Sequence, residues 1–271
     1  MSDIVLSSGV RSNLLQLQQT SDLISQTQTK LATGRKVNSA LDNPISFFTA
    51  QNLTVRANDL NSLLDTMSMG INTIQAANNG LTSITKLVQT AQSITTQAKQ
   101  TSDTTVRAGL ASQYNDILSQ IDQLAGDSGI NGINLLGGNN LTITLNESGT
   151  STVVVNGFND TTGGALAISN STNNWAAATD IDTAASDLTT ALVTLRSQGQ
   201  ALSSNLQTVQ IRQDFTKAMV NTLTTGADGL TLADSNEEGA NLLALQTRQQ
   251  LSTTALSLAA QADQNVLRLF N

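Results

Sequence analysis

The chain has 271 residues, of which 39% are hydrophobic, 12% charged and 3% aromatic, with 18 Gly, one Pro and neither Cys nor His. Without His or Cys there is no HExxH zinc site, no disulfide framework and none of the commonest nucleophile–base pairs. A formal net charge of −7, with Arg35 and Lys36 as the only adjacent basic pair, leaves no basic face for phosphates and argues against nucleic acid as a partner.

So few aromatics cannot fill a thick globular core, and long thin helices burying Leu, Ile, Val and Ala suit the composition better. The first such pattern covers residues 4–31. Val10, Leu14, Leu17, Ile24 and Leu31 follow a 4-3 spacing that polar Ser21 and Gln28 interrupt, which predicts a coiled-coil-like helix face. Its other faces are Gln, Ser and Thr with little charge, so its stability must come mainly from packing partners.

LATGRKVNSALDNP, residues 31–44, carries boundary signals: Gly34 to stop the first helix, then Asn43 and Pro44 as N-cap and first helical position of the next. That second helix runs to about residue 100, roughly 80 Å at 1.5 Å per residue. Leu60, Leu64, Met67, Ile71 and Ile74 keep the 4-3 spacing, and Leu81, Ile84, Val88 and Ala91 resume it after a shift. Gly70 and Gly80 each cost about 1 kcal/mol relative to Ala, and mark places where another helix is expected to come close.

A third helix is predicted over residues 105–125 on Leu110, Tyr114, Ile117, Ile121 and Leu124, with Gly126 as its stop, followed by the turn-rich GDSGINGINLLGGNN. The period then changes. Leu141, Ile143 and Leu145 alternate with Thr142 and Thr144, and Val153 to Val155 form a second strand across a turn at 147–151; a third short strand is expected at 166–168. The Thr- and Ser-rich stretch 148–172 reads as exposed loop first and as a carrier of O-linked sugars second.

Helical spacing returns with Ile181, Ala185, Leu188, Leu192, Leu195, Gly199, Leu202, Leu206 and Val209, the cleanest seam in the chain, which Phe215, Met219 and Leu223 extend toward Gly226. GADGLTLAD is read as a break, and Ser235 with Glu238 as a capping box for the last helix. Leu251, Ala255, Leu256, Leu258, Ala259, Ala260 and Ala262 give that helix a wide face of small apolar residues. The predicted fold is therefore mostly α: an elongated antiparallel helical bundle or coiled coil, with a small β-hairpin region between the N- and C-terminal halves. The terminal helices either complete a single-chain bundle or find their partners in other subunits.

No catalytic, cofactor-binding or metal-binding set emerges. Asp180 and Asp182 form a DxD, but acids there favour the N-terminal dipole of a helix; Gly163-Gly164 lacks a following GK[ST]. The opening MSDIVLSSGVRSNLLQLQQ has no basic leader, apolar run or cleavage site, so no Sec signal is expected, and no stretch nears the ~18 apolar residues of a membrane helix.

Four segments resemble bacterial flagellins. LATGRKVNSALDNP resembles the N-terminal motif LSSGxRINSAxDD, with Leu31, Gly34, Asn38, Ser39, Ala40 and Asp42 in matching positions and Val37 replacing Ile. Residues 70–98 resemble the long-helix stretch GISxxQTxEGALxEI, GINGINLLGG the FNGxxLL turn with Ile130 for Phe, and QNVLRLF the C-terminal signature.

The resemblance implies a structural subunit, not an enzyme, that polymerises into the flagellar filament. Terminal helices, residues 1–40 and 235–271, would form an inner filament-core domain. Residues 41–140 and 178–234 would form a long-helix domain, and 141–177 the hairpin and loop region, with no large outer domain. Leu14, Leu17, Ile24, Leu31, Leu251, Leu256, Leu258, Val266 and Leu267 are then the expected polymerisation interface, and Gly34, Asn38, Ser39 and Asp42 the family motif. Partners implied are the chain itself, an export chaperone, the filament cap and hook–filament junction proteins, with neither nucleic acid nor membrane among them. Export would follow the flagellar type III pathway without a cleaved signal. Arg35 and Lys36 would contact an acidic neighbouring subunit or stand in a solvated loop. Flagellins detected by the vertebrate Toll-like flagellin receptor resemble LQRVRELxVQ, where this chain has VQTAQSITTQ. Thr90, Gln92 and Ser93 thus replace two Arg and a Glu, which removes charge-assisted and bidentate contacts. A hook–filament junction protein of the same family, or a helical chaperone or adaptor, stands as the alternative.

Overall fold

A computed structural model describes residues 8–269, without the side chains of Asp263 and residues 266–269. It contains α1 (Ser8–Thr33), α2 (Pro44–Gln100), α3 (Thr104–Asp127), β1 (Leu141–Thr144), β2 (Thr152–Val155), a 3-10 turn (Asn173–Trp175), α4 (Ala178–Thr231) and α5 (Ser235–Leu269). The mostly α class with one hairpin is as the sequence predicts. Two compact units divide the chain: Met1–Val55 with Thr222–Asn271, and Arg56–Asn221.

The second unit holds the main core. Lys99 Nζ lies 2.7 Å from Asp182 Oδ1, and Gln213 Nε2 donates to Ser68 Oγ at 2.8 Å, so α2 and α4 run antiparallel here. Met67, Ile74, Ile84 and Val88 of α2 and Ile181, Leu188, Leu195 and Leu202 of α4 are completely buried. The shift in the α2 seam falls at Ala77, buried three residues after Ile74, before Leu81, Ile84, Val88 and Ala91 resume. On α3 the buried line is Ala111, Tyr114, Leu118, Ile121 and Ala125, with Leu110, Ile117 and Leu124 half-buried beside it. Tyr114 and Ile121 of the predicted line thus lie in the core, while Leu110, Ile117 and Leu124 flank a line completed by Leu118 and by two alanines that let the helix sit close.

Asp103 caps α3, accepting from Thr105 N at 2.8 Å. Arg107 Nε donates back to the carbonyls of Ala98 and Thr101, at 3.2 and 2.7 Å, at the C-terminal end of α2 where a cation meets the negative end of the helix dipole. α3 runs through Gly126 to Asp127, one residue beyond the predicted stop. The GINGI turn reverses tightly, with Asn131 and Gly132 both at positive φ and Ile130 and Ile133 exchanging two backbone bonds at 3.0 Å. Leu135 and Leu136 follow it into the core.

β1 and β2 pair antiparallel with Leu141 opposite Val155 and Ile143 opposite Val153. Ile143 is the residue that explains Gly70. A methyl at Gly70 would stand 2.5 Å from Ile143 Cδ1, and one at Gly80 would run into Ser128 and come within 2.8 Å of Leu136 Cδ1. The close neighbours are the hairpin and the connection after α3, not a second helix as the sequence reading expects. Residues 166–168 are not a strand: Ala167 takes a φ of 48°, which turns the backbone while Leu166 and Ile168 stay buried.

α4 continues through Gly226 and Gly229 to Thr231, so GADGLT is helix and not a break. Along this stretch the buried residues are Thr216, Leu223 and Ala227, whereas Phe215 is exposed. The predicted extension therefore holds at Leu223 and at half-buried Met219, and fails only at Phe215, where the neighbouring Thr216 takes the buried place.

Candidate assembly surface

The first unit is built from the two terminal helices. α1 packs closely against α5, and the last turn of α1 lies beside the first turn of α5, with Lys30 Nζ 3.0 Å from Glu238 Oε1. The two helices are therefore antiparallel. On α1 the residues withdrawn from solvent include Val10, Asn13, Leu17, Thr20, Ile24, Thr27 and Leu31, an unbroken 3-4 series with Lys30 beside its end. On α5 they include Leu242, Leu245, Gln249, Ser252, Leu256 and Ala259, again at heptad spacing.

This seam shares Val10, Leu17, Ile24 and Leu31 with the sequence reading but takes its second position three residues on instead of four. Leu14, Ser21 and Gln28 are exposed in consequence, while Thr20 and Thr27 are buried. Thr20 tolerates burial because its hydroxyl donates to the Gln16 carbonyl at 2.8 Å. The heptad spacing from Thr20 to Thr27 is the signal for this line in the sequence, and it is legible only when Thr counts as a residue that a helix can bury. The Ile4 start of the predicted helix lies outside the described residues.

The expected interface residues thus separate into two groups. Leu17, Ile24, Leu31 and Leu256 are half-buried in the α1–α5 seam. Leu14, Leu251 and Leu258 face solvent, at 38%, 67% and 62% exposure, together with Leu15, Leu23 and Leu243. Val266 and Leu267 belong to the α5 backbone, but their side chains lie outside the described residues.

The segment between α1 and α2 is held by hydrogen bonds within itself and to the end of α4 and the α4–α5 connection. Gly34 turns the chain at a φ of +67°, which a side chain adopts only under strain. Gly34 O then accepts from Ala233 N at 3.0 Å, and Lys36 N donates to Thr231 O at 2.8 Å, joining this segment to the α4–α5 connection. Lys36 is exposed in the loop, as one of the two expectations has it, but its Nζ is tethered there, donating to Gly229 O at 2.8 Å at the negative C-terminal end of α4. Asp42 explains the spacing of the motif. Its Oδ2 accepts from Asn38 N and Ser39 N, both at 2.9 Å, and from Ser39 Oγ at 3.4 Å. The two backbone donors hold its carboxyl below the usual carboxylate range. Asn43 Oδ1 then accepts from Ser46 N at 3.0 Å and caps α2.

At the other connection the cap is Asp234, whose Oδ1 accepts from Asn236 N at 2.8 Å. The predicted capping box of Ser235 and Glu238 does not form. Aspartate one residue earlier is an equally good cap, and Glu238 is committed to Lys30.

Exposed apolar side chains continue past the turn at Leu41, Ile45 and Phe48, with exposures of 95%, 82% and 54%. On α2 in the second unit, Thr90 and Ser93 are exposed and Gln92 is half-buried. Asp182 is paired with Lys99, Asp180 stands in the first turn of α4, and no cluster of three or more His, Cys, Asp or Glu gathers among the described residues. No described helix is long and apolar enough to cross a membrane. What this unit offers is exposed apolar area on paired helices, which is suited to burying a partner.

Comparison with known proteins agrees with that chemistry. The family profile for the bacterial flagellin N-terminal helical region matches residues 8–141. Flagellin FljM of Caulobacter vibrioides is 31% identical over 277 residues, covering 100% of this chain and 99% of that protein. The flagellin of Brucella melitensis is 25% identical over 287 residues with the same two coverages. The crystal structure of Bacillus cereus flagellin overlays on 57% of this chain and 88% of its own at 20% identity, with a TM-score of 0.48, and adds no weight of its own.

Proposed function

Since the chain belongs to the bacterial flagellin family, we propose that it is a structural subunit of the flagellar filament, with its two paired terminal helices supplying the contacts between subunits. The observation that carries the filament role is the relationship to flagellins along the full length of both chains. The interface assignment rests on the apolar side chains that α1 and α5 leave in water after pairing. Leu14, Leu15 and Leu23 on one helix and Leu243, Leu251 and Leu258 on the other remain exposed. Burying such side chains against the next subunit contributes about 1.5–3 kcal/mol apiece when complete, enough in sum to drive polymerisation.

In this reading residues 1–40 and 235–271 make the inner domain, 41–140 and 178–234 the long-helix domain and 141–177 the hairpin region. The mechanism is mechanical: a stiff helical tube turned by a rotary motor. The subunit leaves the cell by the flagellar type III route with an uncleaved N-terminus, meeting an export chaperone, the hook–filament junction and the filament cap on the way. Negative-stain microscopy of purified full-length protein under polymerising conditions tests the filament role. Long filaments are expected, and a protein that stays monomeric at all concentrations and salts would overturn it.

A further inference from the structure

Asp160 lies in the loop after β2 and is completely buried, without an ion-pair partner among the described residues. Its backbone N–H donates to Leu136 O at 2.8 Å, which fixes the loop to the connection after α3. Its Oδ1 accepts from Gln198 Nε2 of α4 at 2.8 Å, a contact between two buried side chains. Two atoms of this pair are left over: Asp160 Oδ2 and Gln198 Oε1 are both buried and both without a hydrogen-bond partner. An ionised carboxylate and a carboxamide oxygen are both acceptors, so they cannot satisfy each other.

One proton changes that. A neutral carboxylic acid donates from Oδ2, and Gln198 Oε1, buried and without a partner of its own, is an acceptor for that proton on the side chain already bonded to Oδ1. We infer that Asp160 and Gln198 form a proton-operated clasp, closed as a reciprocal acid–amide pair when Asp160 is protonated and opened when it ionises. Ionisation leaves a charge on Oδ2 inside the core with nothing to balance it, the arrangement that buried sites disfavour most.

The surroundings reinforce this. The charged group that reaches the loop from α3 is Asp122, which accepts from Thr162 N and Thr162 Oγ1 at 2.6 and 3.0 Å and is itself acidic. On α4 the charge beside Gln198 is Arg196, and on α2 Lys86 lines the same surface groove as Arg196; both are exposed and neither is paired with Asp160. On the loop itself residues 156–168 carry no other charge. Burial accordingly pushes the Asp160 carboxyl up to about 6, with the Gln198 bond opposing. A carboxyl raised in the folded state stabilises the fold fully below its unfolded value of about 3.8 and loses that contribution as pH rises through about 6. The clasp therefore holds the loop to α4 in mildly acidic surroundings and loosens it near neutrality.

The test is urea unfolding of the full-length chain at concentrations that keep it monomeric, from pH 4 to 8, for the natural protein and for Asp160→Asn. Asparagine is neutral at every pH and can both accept from Gln198 and donate to it. The variant's folding constant relative to the natural protein should rise between pH 4 and 6, approaching tenfold per pH unit and about a hundredfold in total, then level off. Taking the ratio cancels the other carboxylates. A ratio that stays flat across the range overturns the clasp, as does a variant less stable than the natural protein at pH 8. Carbon-13 NMR of aspartate-labelled natural protein decides the matter even if the variant folds poorly. A buried carboxyl titrating near pH 6 supports the clasp, and every carboxyl titrating at or below about 4 refutes it. A gain in stability on adding a divalent cation at pH 8, lost in Asp160→Asn, would mean a cation occupies the site and the clasp is wrong.

Discussion

Lys30 on the last turn of α1 reaches Glu238 on the first turn of α5 at 3.0 Å, and it does so from a half-exposed position to a carboxylate that is only 12% exposed. The bond lies where both connecting segments leave the terminal pair, next to the backbone bond from Ala233 N to Gly34 O. It fixes the axial register of two helices whose seam contains Thr, Ser, Gln and Asn as well as Leu, and a seam of that kind specifies register weakly by apolar packing alone.

A double-mutant cycle of Lys30→Ala and Glu238→Ala should give a coupling of about 0.5–1 kcal/mol, the upper part of the range for pairs near the surface. Urea unfolding at low and high salt measures it. A coupling of zero at low salt would remove the register role.

The separation of the leucines into seam and surface makes a sharper forecast about assembly. Leu251→Asp with Leu258→Asp should leave the monomer's helix content unchanged, with a stability change of no more than about 0.5 kcal/mol, because both side chains are in water already. The same protein should form no filaments. Leu17→Asp or Leu256→Asp should instead lower helix content in the monomer, since each lies in the α1–α5 seam. Circular dichroism read beside negative-stain images separates the two classes. Normal filaments from the double surface variant would refute the proposed interface.

Asp42 predicts a local acid sensitivity opposite in sign to that of Asp160. Its carboxyl is lowered by the Asn38 and Ser39 amides, so its contribution is present above the unfolded value of about 3.8 and disappears as pH falls through the folded value. Hydrogen exchange at the Asn38 and Ser39 amides, corrected for intrinsic rate, should accelerate below about pH 4. Asp42→Ala should show the fast rates at every pH, and unchanged protection in that variant would dissociate Asp42 from the turn.

Gly80→Ala gains about 1 kcal/mol of helix propensity, yet its methyl would meet Ser128 and Leu136, both packed against α2. Overpacking of this kind costs about 1–3 kcal/mol, so the net change should be destabilising. Gly109→Ala, where a methyl meets nothing within 4 Å, should be stabilising. Thermal unfolding of the two variants is the check, and equal midpoints would mean that the neighbours of Gly80 yield freely.

Thr90, Gln92 and Ser93 stand on a well-formed stretch of α2 at positions where receptor-detected flagellins resemble Arg, Arg and Glu, so weak signalling through the vertebrate flagellin receptor is expected. Loss of an Arg anchor typically costs about 2 kcal/mol, roughly thirtyfold in affinity. Thr90→Arg with Gln92→Arg and Ser93→Glu should raise the response of receptor-reporter cells. A natural protein as potent as a recognised flagellin tested beside it would contradict this.

The order of helices, the hairpin, the turn at Gly34 and the start of α2 at Asn43–Pro44 were all determined locally. Apolar spacing, a residue tolerant of positive φ and a capping side chain act on their own few neighbours, so the linear sequence carries them, as it carries the family resemblance. Burial of a given side chain was decided elsewhere. Thr20 and Leu14 fit two alternative registers of one helix, and only the surface of α5 selects the threonine, whose hydroxyl is satisfied by its own helix. Glu238, read locally as the partner of Ser235 in a capping box, instead pairs with Lys30, 208 residues away, while Asp234 caps α5. Ile143 beside Gly70, and Asp160 facing Gln198, join residues that no periodicity connects. Such contacts depend on which surfaces the folded chain brings together, and a one-dimensional pattern does not encode that.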